Sequence, residues 1–234
     1  MGTSAARRAP TTRLWRLAKG AATRYLSPAG GGVVMAGEVV ARYLAALGEG
    51  DQGALAAWRL TRKVAQDLGA LAALAASHGW EGALTAWGLG ELVGSSPEGV
   101  ALGLSGALVG AAGGLEAAVV RSSLTAALMT SASIGPPAPA ARVDPGQLVQ
   151  RFLAASLHLR LALDLGEPLE AAGASYRGLR NGMETLQRCI EAAADLMPAA
   201  PRDPEDWRGL AGWTWVTETA ERLLNRLGDS RSSK

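Results

Sequence analysis

The run Leu55-Ala56-Ala57-Trp58-Arg59-Leu60-Thr61-Arg62-Lys63-Val64-Ala65-Gln66-Asp67-Leu68-Gly69-Ala70-Leu71-Ala72-Ala73-Leu74 decides the fold class. Leu55, Trp58, Leu60, Val64, Leu68, Leu71 and Leu74 recur with helical period and predict an amphipathic helix of five or six turns. The same period returns in Val39, Val40, Tyr43, Leu44 and Leu47, and again in Leu148, Phe152, Leu153, Leu157 and Leu161. Leu179, Met183, Leu186 and Ile190 mark another helix, and Trp207, Leu210, Val216, Ala220, Leu223, Leu224 and Leu227 the last. No alternating stretch of convincing strand length interrupts them. The expected fold is all-α, a single bundle or barrel of about eight helices.

Composition agrees. Of 234 residues, 47 are Ala and 30 Gly, against seven Trp, three Tyr and one Phe. A core of Ala, Leu and Val with few aromatics suits closely packed helices better than a sheet, which favours β-branched and aromatic residues. With 48% hydrophobic and 19% charged residues the chain has enough apolar content to fold, which excludes intrinsic disorder. The single cysteine, Cys189, excludes a disulfide scaffold and any zinc site built on several thiolates.

Charge is placed unevenly. Arg7, Arg8, Arg13, Arg16, Lys19 and Arg24 all precede Glu38, the first acidic residue. Taking those six charges from the net +2 leaves −4 for the remainder. Residues 1–26 therefore read as a basic, partly disordered N-terminal arm, with a short helix between Arg13 and Tyr25 through Leu14, Leu17, Ala18, Ala22 and Tyr25. Residues 27–228 read as the all-α domain, carrying a Pro-rich connector at 135–145, and residues 229–234 as a disordered tail. Asp144 before Pro145 reads as an N-cap with proline in the first turn of the next helix. The uncharged stretch from Gly99 to Leu115 invites a membrane reading, but five further glycines after Gly99 dilute it, and a spanning helix needs about 20 mostly apolar residues. The arm lacks the continuous apolar run of a secretory signal. Membrane insertion is not expected, and the expected compartment is the cytoplasm.

Familiar catalytic machinery is missing from the sequence. His78 and His158 have no carboxylate or cysteine at metal-ligand spacing. His78 stands where a helix ends, and His158 and Cys189 read as packed side chains. No phosphate-binding lysine loop, dinucleotide fingerprint or serine elbow occurs. The tryptophans do not interleave with basic residues as a nucleic-acid stacking platform would, and read as bulky core fillers. Two loops remain. Gly48-Glu49-Gly50-Asp51-Gln52-Gly53 sets two carboxylates two residues apart between glycines, able to face one hard cation. Gly94-Ser95-Ser96-Pro97-Glu98-Gly99 opens a helix with two hydroxyls and free amides, where an anion is favoured, although Ser before a helix is also an ordinary cap.

In that order and separation, the two loops resemble those of the DhaL-like ATP-binding subunit of dihydroxyacetone kinase and the similar N-terminal domain of bacterial fatty-acid kinase. Glu49-Gly50-Asp51-Gln52-Gly53 resembles their acidic turn, with Glu49 in place of its first aspartate. Gly94 to Gly99 resembles their second loop. The resemblance implies Glu49 and Asp51 as magnesium ligands, Ser95, Ser96 and Gly99 beside the phosphates of ATP, and an all-helical barrel around them. The function it implies is a divergent, possibly degenerate kinase-type domain that binds Mg-ATP and assists phosphoryl transfer to a partner-bound substrate, by positioning and charge neutralisation. The alternative is a non-enzymatic helical scaffold or regulatory interaction protein that uses its basic N-terminal arm. Either reading implies a protein partner or homo-oligomer; beyond the arm there is no strong nucleic-acid signal.

Overall fold

The computed structural model describes residues 12–27, 34–49, 53–130, 144–173, 175–195 and 199–229. Among them there are ten α-helices, eight of seven residues or more, and no strand. The all-α expectation holds, and the eight longer helices match the number read from periodicity.

The chain enters through α1 (Arg13–Leu26) and α2 (Ala36–Leu47). One short turn of helix, α3 (Gly53–Ala56), leads into α4 (Arg59–Ala86); the deciding stretch is not one helix, since Leu55 lies in α3, the chain turns at Ala57 and Trp58, and only Arg59 to Leu74 belong to α4. The α4 backbone leaves helical geometry at Gly79, where φ is 72°, so its last two turns bend away from the first twenty residues. A 3-10 turn at Gly90–Leu92 precedes α5 (Pro97–Val109) and α6 (Gly114–Thr130). Then come α7 (Pro145–Ala172), α8 (Tyr176–Ala194), the short α9 (Pro204–Arg208) and α10 (Leu210–Gly228).

Short polar side chains start four of the eight long helices. Thr12, Ser96, Asp144 and Ser175 each accept a backbone N–H from the first turn that follows, satisfying a donor that has no partner within the helix. Pro97, Pro145 and Pro204 occupy first-turn positions, where a missing N–H costs nothing. Pro168 sits inside α7, which nevertheless runs on to Ala172.

The longest helices carry the core. α7 packs against α1, α4, α6 and α8, while α10 covers α2 and α4. Leu153, Leu157, Leu161 and Leu165 of α7 are wholly buried, as are Leu68 and Leu71 of α4. Burying each such side chain contributes roughly 1.5–3 kcal/mol. Alanines fill the seams: Ala18, Ala21, Ala22, Ala65, Ala70, Ala72, Ala101, Ala117 and Ala220 have essentially no exposure. The aromatics at the centre are Tyr43, Phe152 and Trp207. Trp207 lies flat against Gly69 of α4, where any Cβ would overlap the indole.

The helix expected between Arg13 and Tyr25 is present, although its buried face coincides with the predicted one only in part. Residues 13–26 of the arm form α1, whose inner face of Trp15, Ala18, Ala21 and Ala22 is buried. Residues 1–11 of the arm, residues 135–143 of the connector and residues 230–234 of the tail lie outside the described residues. The uncharged stretch from Gly99 to Leu115 is not one helix. Gly110, at φ 59°, ends α5, and the chain turns before Gly114. α5, with 13 residues, is about 20 Å long, short of a bilayer core of about 30 Å. No described helix is long and apolar enough to cross a membrane.

Candidate functional site

The two loops singled out by the sequence flank α4 at opposite ends along the chain. Glu49 follows α2, is exposed, and accepts a hydrogen bond from the Thr12 hydroxyl, so its carboxylate joins the start of α1 to the end of α2. Asp51 lies outside the described residues. At the other loop, the Ser95 backbone N–H donates to the Leu92 carbonyl at 3.1 Å. Ser96 Oγ accepts from Gly99 N at 3.1 Å, which makes it the N-cap of α5 and places Gly99 in the first turn. Gly94 turns the chain through a left-handed φ of 79°.

No hydrogen bond or ion pair among the described residues joins Glu49 to Ser95 or Ser96. The straight part of α4 between the loops, residues 59–78, spans about 30 Å. Glu116, at the start of α6, accepts from both Thr61 N (3.0 Å) and Thr61 Oγ1 (3.2 Å) near the start of α4. The end of α5 adjoins α6 there, and the Ser96 cap lies at the other end of α5, about 20 Å along its axis.

The best-organised polar cluster is one the sequence reading missed. Tyr43 Oη donates to Asp164 Oδ2 at 2.9 Å, and Arg160 Nε donates to the same oxygen at 2.8 Å. Tyr43 has no exposed surface, and the Arg160 and Asp164 side chains are only 13% and 17% exposed. Trp15 of α1 meets the Tyr43 ring edge-on at 5.9 Å. The cluster thus ties α1, α2 and α7 together. Burial, and then the negative Asp164, push the Tyr43 phenol well above its ordinary range. It stays protonated as a donor, which suits a structural clamp and not a nucleophile. The i, i+4 spacing of Arg160 and Asp164 was visible in the sequence; what Tyr43 adds across 121 residues was not.

Other titratable groups are similarly engaged. His158 is half-buried between α7 and α8, and burial lowers its pKa below the usual 6.5, opposed by a hydrogen bond to the Met183 backbone and by Glu191. Its Nε2 is buried without a partner. Burial raises the Cys189 thiol, which disfavours the reactive thiolate. His78 is exposed beside the Gly79 bend. Arg62 and Arg208 lie over the rings of Trp213 and Trp87 at 5.0 and 4.7 Å. Trp207 and Trp215 meet edge-on at 5.1 Å, their indole N–H groups donating to Pro201 and Ala199 carbonyls. Among the described residues there is no group of three or more His, Cys, Asp or Glu placed to hold a metal ion.

Residues 50–198, the stretch from the acidic turn through α8, match the model of the family described as QatB, Qat anti-phage system associated protein QatB. No curated protein and no solved structure matches the chain. The family match overturns the resemblance to the DhaL-like subunit and to the fatty-acid kinase domain. The likeness rested on two short loops rich in Gly, Ser and acids. Ser96 and Gly99 make the ordinary cap of α5, and Glu49 bonds Thr12, so such residues recur wherever helices begin and end. The naming of the cation as magnesium and of the anion as ATP rested on that resemblance.

Proposed function

The chain belongs to the QatB family of proteins associated with the Qat anti-phage system, and we propose that it serves there as a non-enzymatic helical scaffold or regulatory subunit. The observation that carries this reading is the family match over 149 of 234 residues, counted from 50 to 198 inclusive. Its work is to hold protein partners, and the expected compartment is the cytoplasm. The polar groups favour the same reading, because those drawn together clamp helices to one another: Tyr43, Arg160 and Asp164 across three helices, Thr61 and Glu116 across two.

The basic N-terminal segment supplies one contact element. Arg13, Arg16 and Arg24 are exposed on α1, opposite its buried face, and α1 contains no acidic residue. No described ion pair engages these arginines or Lys19, so their charge is available to an acidic partner surface. Deleting residues 1–26 would strip Trp15 and three buried alanines from the core, so the charges must be tested in place.

The test is phage protection in cells carrying the complete system. Removing this chain is expected to abolish protection, and Arg13→Glu with Arg16→Glu and Arg24→Glu to weaken both protection and co-purification with other components. Glu49→Ala, Asp51→Ala and Ser96→Gly are expected to keep protection wherever the protein remains folded. Loss of protection by a folded Asp51→Ala protein would refute the non-enzymatic reading.

A further inference from the structure

We propose that the outer face of the α5–α6 hairpin is a contact through which two copies of this chain pair. This goes beyond the scaffold role and is tested separately from it. α5 and α6 pack against each other as a hairpin, and α6 in turn lies on α7. Leu102, Gly106 and Ala107 on α5, and Ala118, Ser122 and Ala126 on α6, are exposed, with Leu102 at 62%. A helix that faces solvent normally carries charge on that side. α5 and α6, with 13 and 17 residues, contain three charged residues in all. Glu98 lies in the first turn of α5, at the rim. Glu116 is turned to Thr61, and Arg121 donates to the Gly110 and Ala112 carbonyls at 2.9 Å each. The middle of the face is left without charge.

Gly106 supplies the independent observation. Its neighbouring glycines have reasons within the chain: Gly103 receives the Leu92 side chain, and Gly110 and Gly114 adopt left-handed φ values of 59° and 86°. Gly106 sits inside a helix, is exposed, and a Cβ there would meet nothing within 4 Å. A glycine at such a position costs about 1 kcal/mol relative to alanine. What it permits is close approach by another backbone. Gly166 of α7 has the same open space, but the exposed Glu167 and Glu170 stand beside it in sequence, so a neutral surface could not cover it without stranding charge.

A second copy fits this face better than an unrelated surface. In a two-fold contact, residue i of one copy meets residue j of the other and j meets i. Leu102 and Gly106 are one turn apart on the same face, a projecting side chain beside an open site, so each copy's leucine can seat over the other's glycine. An uncharged face can also meet its own copy without juxtaposing like charges near the two-fold axis. The area is adequate: 17 residues of α6 give about 25 Å of length, and two packed helices about 20 Å of width. That is about 500 Å² from each copy and about 1,000 Å² together, at the lower bound for a specific interface and consistent with weak, concentration-dependent pairing.

Sedimentation velocity on the full chain tests this, from about 5 to about 500 µM, where weak interfaces dissociate and form. The wild-type mass is expected to rise from 24.0 kDa toward twice that value. Leu102→Glu and Gly106→Glu are expected to hold it at the monomer, with helical circular dichroism and Tm retained because both positions are open in the monomer. Leu210→Glu, at a residue 78% exposed on α10, is expected to pair as wild type does. A wild-type monomer throughout, pairing that survives both hairpin substitutions, or equal loss in the Leu210 variant would overturn the proposal. A monomeric chain that still supports phage protection would overturn only this inference and leave the scaffold reading standing.

Discussion

Replacing Gly69 with alanine probes the joint between α4 and the C-terminal helices. In an open helix the change would stabilise by about 1 kcal/mol, because alanine is the better helix former. Here the new Cβ would come within 3.0 Å of three atoms of the six-membered ring of Trp207, a side chain with no exposed surface. The indole has little freedom to retreat: its N–H donates to the Pro201 carbonyl at 2.8 Å and its edge meets Trp215 at 5.1 Å. Gln66 also holds the Trp207 carbonyl at 2.8 Å. Overpacking of this kind costs about 1–3 kcal/mol or more, so a net loss of about 2 kcal/mol is expected after the helix gain. For a chain of this size that lowers Tm by about 4–8 °C. Trp207→Leu alone should also destabilise, by loss of ring contacts and of the indole hydrogen bond. Combined with it, Gly69→Ala should become neutral or stabilising, because the added methyl now enters vacated space. The assay is a double-mutant cycle by urea denaturation and calorimetry. Strictly additive losses, or a Gly69→Ala protein as stable as wild type, would refute this account of the joint.

Gly212→Ala meets the Trp207 backbone and not its ring, so a loss of about 3 kcal/mol is expected that Trp207→Leu does not rescue, read in the same denaturation series. Tyr43→Phe removes the donor to Asp164 while Arg160 still pairs with the carboxylate and Trp15 still meets the ring; a loss of about 1.5 kcal/mol, or about 3–6 °C in Tm, is expected by calorimetry. His158 has a folded pKa lowered chiefly by burial, so the unfolded chain takes up its proton at higher pH than the folded one. Stability should therefore fall as pH drops below about 6.5, and His158→Gln should flatten that part of the pH profile; an unchanged profile would count against a buried, neutral imidazole.

The helical class was legible because period and composition agree: the stripe from Leu60 to Leu74 is carried by α4, with Leu55 in the short α3 before it, and Asp144 with Pro145 opens α7 as their residue types indicate. What stayed hidden depends on distance in sequence. Nothing local says that Trp207 lies on Gly69, or that Tyr43 finds Asp164 across 121 residues. Gly79 bending α4, and Gly110 dividing the Gly99–Leu115 stretch, needed the positive φ values that a glycine permits but does not announce. The two candidate loops are ambiguous for a related reason. Ser, Gly and acidic residues at helix ends serve capping and phosphate binding alike, so their presence cannot choose between them.

The extent of the family match bears on where the shared role resides. Residues 50–198 include α3 to α8, yet the core they belong to is closed by helices on either side of that stretch. α1 and α2 pack on each other, α1 covers α7, and α10 covers α2 and α4. Removing residues 12–49 would uncover wholly buried leucines of α7, and removing residues 199–229 would uncover Gly69 and its neighbours on α4. At roughly 25 cal/mol for each Å² of apolar surface exposed, losing either flank would cost more than a typical domain can spare. The flanks are therefore structural parts of one core, and α1 adds its outward arginines to that task. The α5–α6 hairpin lies on the rim of this core, away from both flanks in the chain and within the stretch the family shares. A surface there can meet a second copy without altering how the core closes, and it leaves the outward arginines of α1 as a separate contact element.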